Sequence, residues 1–270
     1  MDNRAIGVFD SGVGGLTCIP HLLAELPEER IIYFGDTART PYGSKAMSTI
    51  KKHTNEIADF LVSQDVKMLI IACNTITCIC LDDLRKRFPD IPIVGIVEPA
   101  AHKVAAICDE SNNVGIIATK ATISSGLYQD LIHKYNHEVN VFGKTTPMFV
   151  PLIEEGIIED PIMDLIIKRY LDDFISENKI DTLILGCTHY PIIRRRIVNL
   201  YPQLNIVNPS FEIATTVKDI LKENDMLAEN NDRKNIFYAS DLSGNFSHMI
   251  KEIIEMEHTE HDIKFKSFEI

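Results

Sequence analysis

The sequence predicts an α/β protein: two similar, doubly wound, mostly parallel-sheet domains related by a pseudo-two-fold axis, with the active site in the cleft between them. Three observations carry that prediction. Apolar runs of strand length alternate with helical patterns from Ile6 to Val207, the pattern of βα units stacked on a parallel sheet. Two of these runs echo each other: Met68-Leu69-Ile70-Ile71-Ala72-Cys73-Asn74-Thr75 and Thr182-Leu183-Ile184-Leu185-Gly186-Cys187-Thr188-His189-Tyr190-Pro191 each end in a small residue, a cysteine and hydrogen-bonding side chains. The offsets agree as well, since Gly115 follows Gly7 by 108 residues and Cys187 follows Cys73 by 114. A near-constant offset is the mark of an internal duplication.

Composition sets the outer bounds. A chain of 270 residues buries roughly three quarters of its unfolded surface, enough for two domains of ordinary size. Its 45% hydrophobic and 24% charged content is that of a globular protein. No apolar run approaches the roughly 18 residues of a membrane span, and Met1-Asp2-Asn3-Arg4 leads into the first strand without a signal-peptide plan. The net charge of -12 argues against nucleic acid, whose phosphates call for a basic surface. Cysteines at 18, 73, 78, 80, 108 and 187 read as reduced thiols in a cytoplasm. Cys73, Cys78 and Cys80 lack the paired CxxC spacing of a zinc module, so no metal is expected.

Taken in order, Ile6 to Phe9 is a buried strand, and Asp10-Ser11-Gly12-Val13-Gly14-Gly15-Leu16 turns tightly into a helix through Leu23. Glycines there let the backbone approach a ligand. Ile31 to Phe34 is the second strand, followed by the polar loop Gly35 to Ser44 and a helix from about Ser48. The Cys73 strand and its helix come next, the helix ending before Pro89. Ile93 to Val97 reads as a fourth strand closed by Glu98-Pro99.

The plan then repeats. Val114 to Thr119 is a strand entering a helix at Lys120, and Val139 to Phe142 is another strand. A long loop, Gly143 to Gly156, precedes a helix capped by Asp160, with Pro161 at its first position and Ile162, Leu165, Ile166, Tyr170 and Phe174 on its apolar face. The Cys187 strand, a helix opened by Pro191 and the strand Leu204 to Val207 complete the second unit. In the tail, a helix begins at Pro209, Glu223 to Asn235 reads as a solvated connection, and strands at Ile236 to Ala239 and Ile263 to Phe268 flank a helix from Phe246 to Ile254. Since the second unit is already complete, the tail is expected to cross back, giving a first domain of 1–97 plus 210–270 and a second of 98–209.

Ligands of open α/β sheets sit at the carboxyl ends of the strands. Two thiols delivered there from matched units suit a reaction that needs two matched groups. A nearby helix start would lower a thiol pKa below its free value of about 8.5, so one thiolate could take a proton from a substrate carbon while the opposite thiol supplies one. That arrangement inverts a stereocentre. Without a cofactor as electron sink, fixed donors must carry the developing charge, and Ser11, Asn74, Thr75 and Thr188 are groups of the right kind.

The residues also carry a family resemblance. Ile6-Gly7-Val8-Phe9-Asp10-Ser11-Gly12-Val13-Gly14-Gly15-Leu16, Asp36-Thr37-Ala38-Arg39-Thr40-Pro41-Tyr42-Gly43, Ala72-Cys73-Asn74-Thr75 and Gly186-Cys187-Thr188-His189-Tyr190-Pro191 resemble, in order, the four signatures of the glutamate racemases. The resemblance implies a racemase that needs no cofactor, with Cys73 and Cys187 as the two acid/base groups. It implies that Asp10 and His189 manage the thiol protons, and that Asp10, Ser11, Tyr42, Gly43, Asn74, Thr75, Thr119, Thr122, Thr188 and His189 contact substrate. Glu154 and Asp36 are further candidates. A homodimer and a role in supplying D-glutamate for peptidoglycan follow from the same likeness. The related aspartate racemases usually follow the second cysteine with Thr-Glu, whereas this chain has Thr188-His189, so glutamate is the expected substrate. Four residues precede the strand-like Ala5, so dependence on a cell-wall precursor nucleotide is not expected.

Two other classes make different demands. A two-lobed binding protein would need neither cysteine, and a thiol hydrolase using Cys187 with His189 would leave Cys73 without a role.

Overall fold

The computed structural model describes residues 1–229, 234–242, 250 and 261–268. Strands β1 (Ile6–Asp10), β2 (Ile31–Gly35), β3 (Met68–Ile71), β4 (Ile93–Gly95), β9 (Asn235–Ala239) and β10 (His261–Phe265) form one sheet in the order β10-β9-β2-β1-β3-β4. Strands β5 (Asn113–Ala118), β6 (Asn140–Thr145), β7 (Thr182–Gly186) and β8 (Asn205–Val207) form a second in the order β6-β5-β7-β8. Every pairing in both sheets is parallel. The tail strands therefore do cross back: β9 pairs with β2 at the edge of the first sheet.

The duplication extends to register. Gly7 lies opposite Leu69 and Gly115 opposite Leu183, with each cysteine four residues further along. Both glycines sit where a neighbouring side chain approaches closely. A Cβ on Gly7 would meet Leu69 Cδ2 at 2.9 Å, and one on Gly115 would meet Ile180 Cγ2 at 3.0 Å.

Alternation along the strands divides the core. Ile6, Val8, Met68 and Ile70 share one apolar cluster with Val114, Ile116 and Ile184 of the second unit, so that cluster runs across both units. Leu69, Ile71 and Cys73 face the opposite side of their sheet, and Leu183, Leu185 and Cys187 do the same in the other. Period-two alternation therefore sends both cysteines to corresponding faces.

The helices are α1 (Ile19–Glu25), α2 (Met47–Ser63), α3 (Asn74–Arg87), α4 (Val97–Ile107), α5 (Lys120–Ser125), α6 (Leu127–Tyr135), α7 (Phe149–Glu154), α8 (Pro161–Asn178), α9 (Arg194–Leu200) and α10 (Pro209–Glu223). Several differ from the sequence reading. Strand β4 ends at Gly95, and the expected strand residue Val97 instead opens α4. Pro99 sits in the first turn of that helix, where its missing N–H costs no hydrogen bond. The expected single helix after Lys120 is two, broken at Gly126, whose φ of 71° is left-handed. The expected loop Gly143–Gly156 holds the end of β6 and all of α7.

The Asp160 cap is formed, its Oδ1 accepting from the Ile162 amide at 2.8 Å. The buried face of α8, however, is Met163, Ile167, Leu171, Phe174 and Ile175, while Leu165 is 66% exposed. This helix carries two overlapping apolar stripes, and periodicity alone does not choose between them. The connection after α10 is anchored rather than freely solvated in its first part. Lys67, buried in an ion pair with Glu29 at 2.6 Å, also donates to the Met226 carbonyl, and the Ala228 amide donates to Glu29. The expected helix Phe246–Ile254 lies outside the described residues except for Ile250.

Candidate active site

The carboxyl ends of β1, β2 and β3 meet those of β5 and β7 around a small cavity of about 30 Å³. Ser11, Thr40, Pro41, Tyr42, Gly43, Cys73, Asn74 and Thr75 line it from the first unit, and Thr119, Val150, Cys187, Thr188 and His189 from the second. Of the residues expected from sequence, ten line the cavity. Asp10, Asp36, Thr122 and Glu154 stand behind it, each hydrogen-bonded to a lining residue.

Cys73 is the residue at which β3 hands over to α3, and Cys187 follows β7 directly. Both are buried, at 5% and 7% exposure. Their partners differ. Cys73 Sγ donates to Ser11 Oγ at 3.5 Å, beside the fully buried Asp10, whose carboxylate accepts from the Gly12 amide at 3.0 Å and from Thr188 Oγ1 at 3.3 Å. Burial, reinforced by the Asp10 charge, pushes the Cys73 thiol well above its ordinary value. This corrects the expectation that the helix start would lower it: desolvation of a buried thiolate outweighs the α3 amides. Burial also raises the Asp10 carboxyl, with His189 opposing.

Cys187 Sγ lies 3.8 Å from His189 Nδ1, and His189 Nε2 is 3.1 Å from Glu154 Oε1. Burial alone would lower the imidazole. Hydrogen bonds to Cys187 and Glu154 more than reverse this and push it up to about 10, so His189 is an imidazolium at neutral pH.

The walls are held by contacts across the two units. Thr75, Thr119 and Thr122 form a hydroxyl triangle with edges of 2.9, 3.3 and 3.1 Å. A Cβ on Gly43 would meet Thr119 Cβ at 2.8 Å, and one on Gly14 would meet His189 Nδ1 at 2.5 Å. The Tyr42 hydroxyl donates to the buried Asp36 carboxylate, which also accepts from Arg39 Nε at 2.8 Å and Ser240 Oγ at 2.7 Å. Asp36 thus bears on the cavity through Tyr42. Asn74 presents a different feature: its Oδ1 accepts from Tyr128 Oη at 2.7 Å, while its Nδ2 is buried with no partner among the described residues.

Sequence reasoning did not single out Thr40, Pro41, Val150, Gly14 or Tyr128 individually. Thr40, Pro41 and Gly14 lie inside quoted motifs and were within reach. Val150 and Tyr128 carry no local signal, because one is a plain apolar residue and the other a tyrosine on an ordinary amphipathic helix.

The family model described as Asp/Glu/Hydantoin racemase matches residues 13–210. The chain is 42% identical over 248 residues to a glutamate racemase of Geobacter metallireducens, covering 91% of each. It is similar to the crystal structure of a Francisella tularensis glutamate racemase in complex with D-glutamate, with TM-score 0.90, 39% identity, and coverage of 100% of this chain and 98% of the other. A glutamate racemase isoform from Bacillus anthracis superposes with TM-score 0.91 at 29% identity, covering 99% of each chain.

Proposed function

Because the chain belongs to the Asp/Glu/Hydantoin racemase family, an amino acid racemase, we propose that it interconverts L- and D-glutamate by proton transfer at Cα between Cys73 and Cys187, without a cofactor. One observation carries the reading: two buried thiols, at register-equivalent positions of two like sheets, line one cavity. Relatives named as glutamate racemases, at 42% identity over nearly the whole chain, support glutamate over aspartate.

In this reading one sulfur acts as the thiolate and the other as the thiol, with His189 beside Cys187 and Asp10 beside Cys73 to exchange protons with them. The thiolate takes the Cα proton, so C–H breaks, S–H forms and the electron pair stays on the substrate. The opposite thiol then gives its proton to the other face, leaving a thiolate behind. For the opposite enantiomer the roles of the two sulfurs exchange: the Cys73 thiol passes its proton to Asp10, His189 gives one to Cys187, and the same two transfers at Cα follow in reverse. Ser11, Asn74, Thr75 and Thr188 hold the carboxylates and the ammonium, with Thr119 and Thr122 bracing the wall and Tyr42-Gly43 closing it. The donors they offer are pre-oriented and need little reorganisation when charge develops at Cα.

The chain reads as two domains, 1–97 with 210–270 and 98–209, a division supported by membership of the two sheets. The proposal includes a cytoplasmic homodimer supplying D-glutamate for peptidoglycan. Among the described residues no helix is long and apolar enough to cross a membrane.

The test is proton NMR of L- and, separately, D-glutamate with the purified protein in D2O, alongside optical rotation. Loss of the Cα–H signal with rotation drifting to zero from both sides is expected. Exchange of aspartate alone would overturn the substrate. Exchange of no amino acid would overturn the reaction.

A further inference from the structure

Asn74 follows Cys73 directly, opens α3 and lines the cavity. A carboxamide has one accepting end and one donating end, and which end faces a ligand depends on what holds the other. Here the accepting end is held from the opposite unit. Tyr128, on α6 of the second unit, is 3% exposed, and its hydroxyl donates to Asn74 Oδ1 at 2.7 Å. What remains is Nδ2, buried and without a partner among the described residues. A buried amide N–H left without an acceptor is costly, so such a group in a cavity wall is a donor awaiting an acceptor.

We infer that Tyr128 is a positioning residue: its hydroxyl locks the Asn74 carboxamide so that Nδ2 receives a carboxylate oxygen of the bound amino acid. The identity of that anion rests on the racemase reading above. Several features suit Tyr128 to the task. Burial raises its phenol well above the ordinary value, so it stays a neutral donor throughout the working pH range. The left-handed Gly126 ends α5 and starts α6 one residue before Leu127, so Tyr128 sits in the first turn of a helix separate from the one carrying Thr122. The bond also spans the seam between units, so the donor takes its bound orientation only when α6 and α3 are in contact.

A hydroxyl that merely braced the seam would lower Tm when removed, whereas a positioning role raises Kd and KM with Tm held. A positioning role makes the two residues interdependent, and a double-mutant cycle reads that dependence. Calorimetric titration with D-glutamate gives Kd without requiring turnover, and steady-state kinetics give the split between KM and kcat. Tyr128→Phe is expected to raise Kd and KM about five- to tenfold, the worth of one net hydrogen bond, with a smaller change in kcat. In an Asn74→Ala background the same Tyr128→Phe change is expected to move Kd by less than twofold. Asn74→Ser serves as the background if the alanine variant does not fold, and circular dichroism checks folding throughout. Tyr128→Phe without effect on Kd, or with an equal effect in both backgrounds, overturns the positioning role while leaving the racemase reading intact. Failure of the unsubstituted protein to bind or turn over glutamate overturns the racemase reading, and this role with it.

Discussion

His189 Nδ1 lies 3.8 Å from Cys187 Sγ, and among the described residues no imidazole stands in the corresponding place beside Cys73. There the neighbours are the Ser11 hydroxyl and the buried Asp10 carboxylate. The two equivalent sulfurs therefore have different neighbours, an imidazole beside Cys187 and a hydroxyl with a buried carboxyl beside Cys73. In the two-base reading the enzyme runs in both directions with one thiol and one thiolate at a time, the different partners dividing the roles and the matched strands supplying the geometry.

The His189 imidazolium sets an alkaline limit. With its pKa pushed up to about 10, turnover is expected to fall as pH rises through that value and the counter-charge is lost. Glu154→Gln removes one of the groups that raise it, so the midpoint should move to lower pH. The same shift links to stability. A group raised in the folded state contributes fully below its unfolded pKa of about 6.5 and loses that contribution as pH rises towards 10. The drop in Tm between pH 7 and pH 10 should be smaller in His189→Gln than in the unsubstituted protein, as thermal scans at fixed ionic strength would show.

Either cysteine alone is insufficient in the two-base reading. Cys73→Ala and Cys187→Ala are each expected to lower kcat for racemisation by at least about a hundredfold, since general acid–base groups typically contribute 10²–10⁴ each. Circular dichroism should remain unchanged. Retention of racemisation in Cys73→Ala would instead point to a one-cysteine mechanism.

Gly14 belongs to the first unit, yet a Cβ there would stand 2.5 Å from His189 Nδ1 and 2.6 Å from Thr188 Oγ1 of the second. Gly14→Ala must therefore displace the imidazole or part the units. Misplacement by about 1 Å can cost about a hundredfold, and a fall of that order in kcat/KM is expected. The Tm should change by only a few degrees, because the crowded atoms are side-chain ends at the cavity.

Asp36 bears on the site through structure. Asp36→Ala leaves the buried Tyr42 hydroxyl and the Ser240 hydroxyl without their acceptor and deprives Arg39 of one of its two carboxylates. Breaking a buried ion pair from one side costs about 3 kcal/mol, measurable as a lower urea midpoint. KM should rise with it, since the loop carrying Tyr42 and Gly43 lines the cavity.

Much of this molecule is legible in its sequence. The alternation in Leu69-Ile70-Ile71 and Leu183-Ile184-Leu185 defines two strands, and the small residue–cysteine sequence after each marks where they end. Matched offsets of Gly7 with Gly115 and Cys73 with Cys187 anticipate the common register. Where the reading went astray, the local signal was two-valued. Ile96-Val97 suits a strand as well as the start of α4, and Ile162 to Ile167 offers α8 two apolar stripes. Only the surface facing each segment decides between them.

The sequence by itself determined the fold class, the duplication and the two thiols at strand ends, because periodicity and chain-neighbour chemistry are local properties. Only the tertiary structure decided which partner each functional group has. Glu154 meets His189, Tyr128 meets Asn74, Ser240 meets Asp36, and Asp10 is sealed beside Cys73. Each pairing joins residues far apart along the chain, and its strength comes from the water that folding removes around it. Burial decides whether a thiol is raised or lowered and which end of an amide is left free, and burial belongs to the packed molecule rather than to any stretch of it.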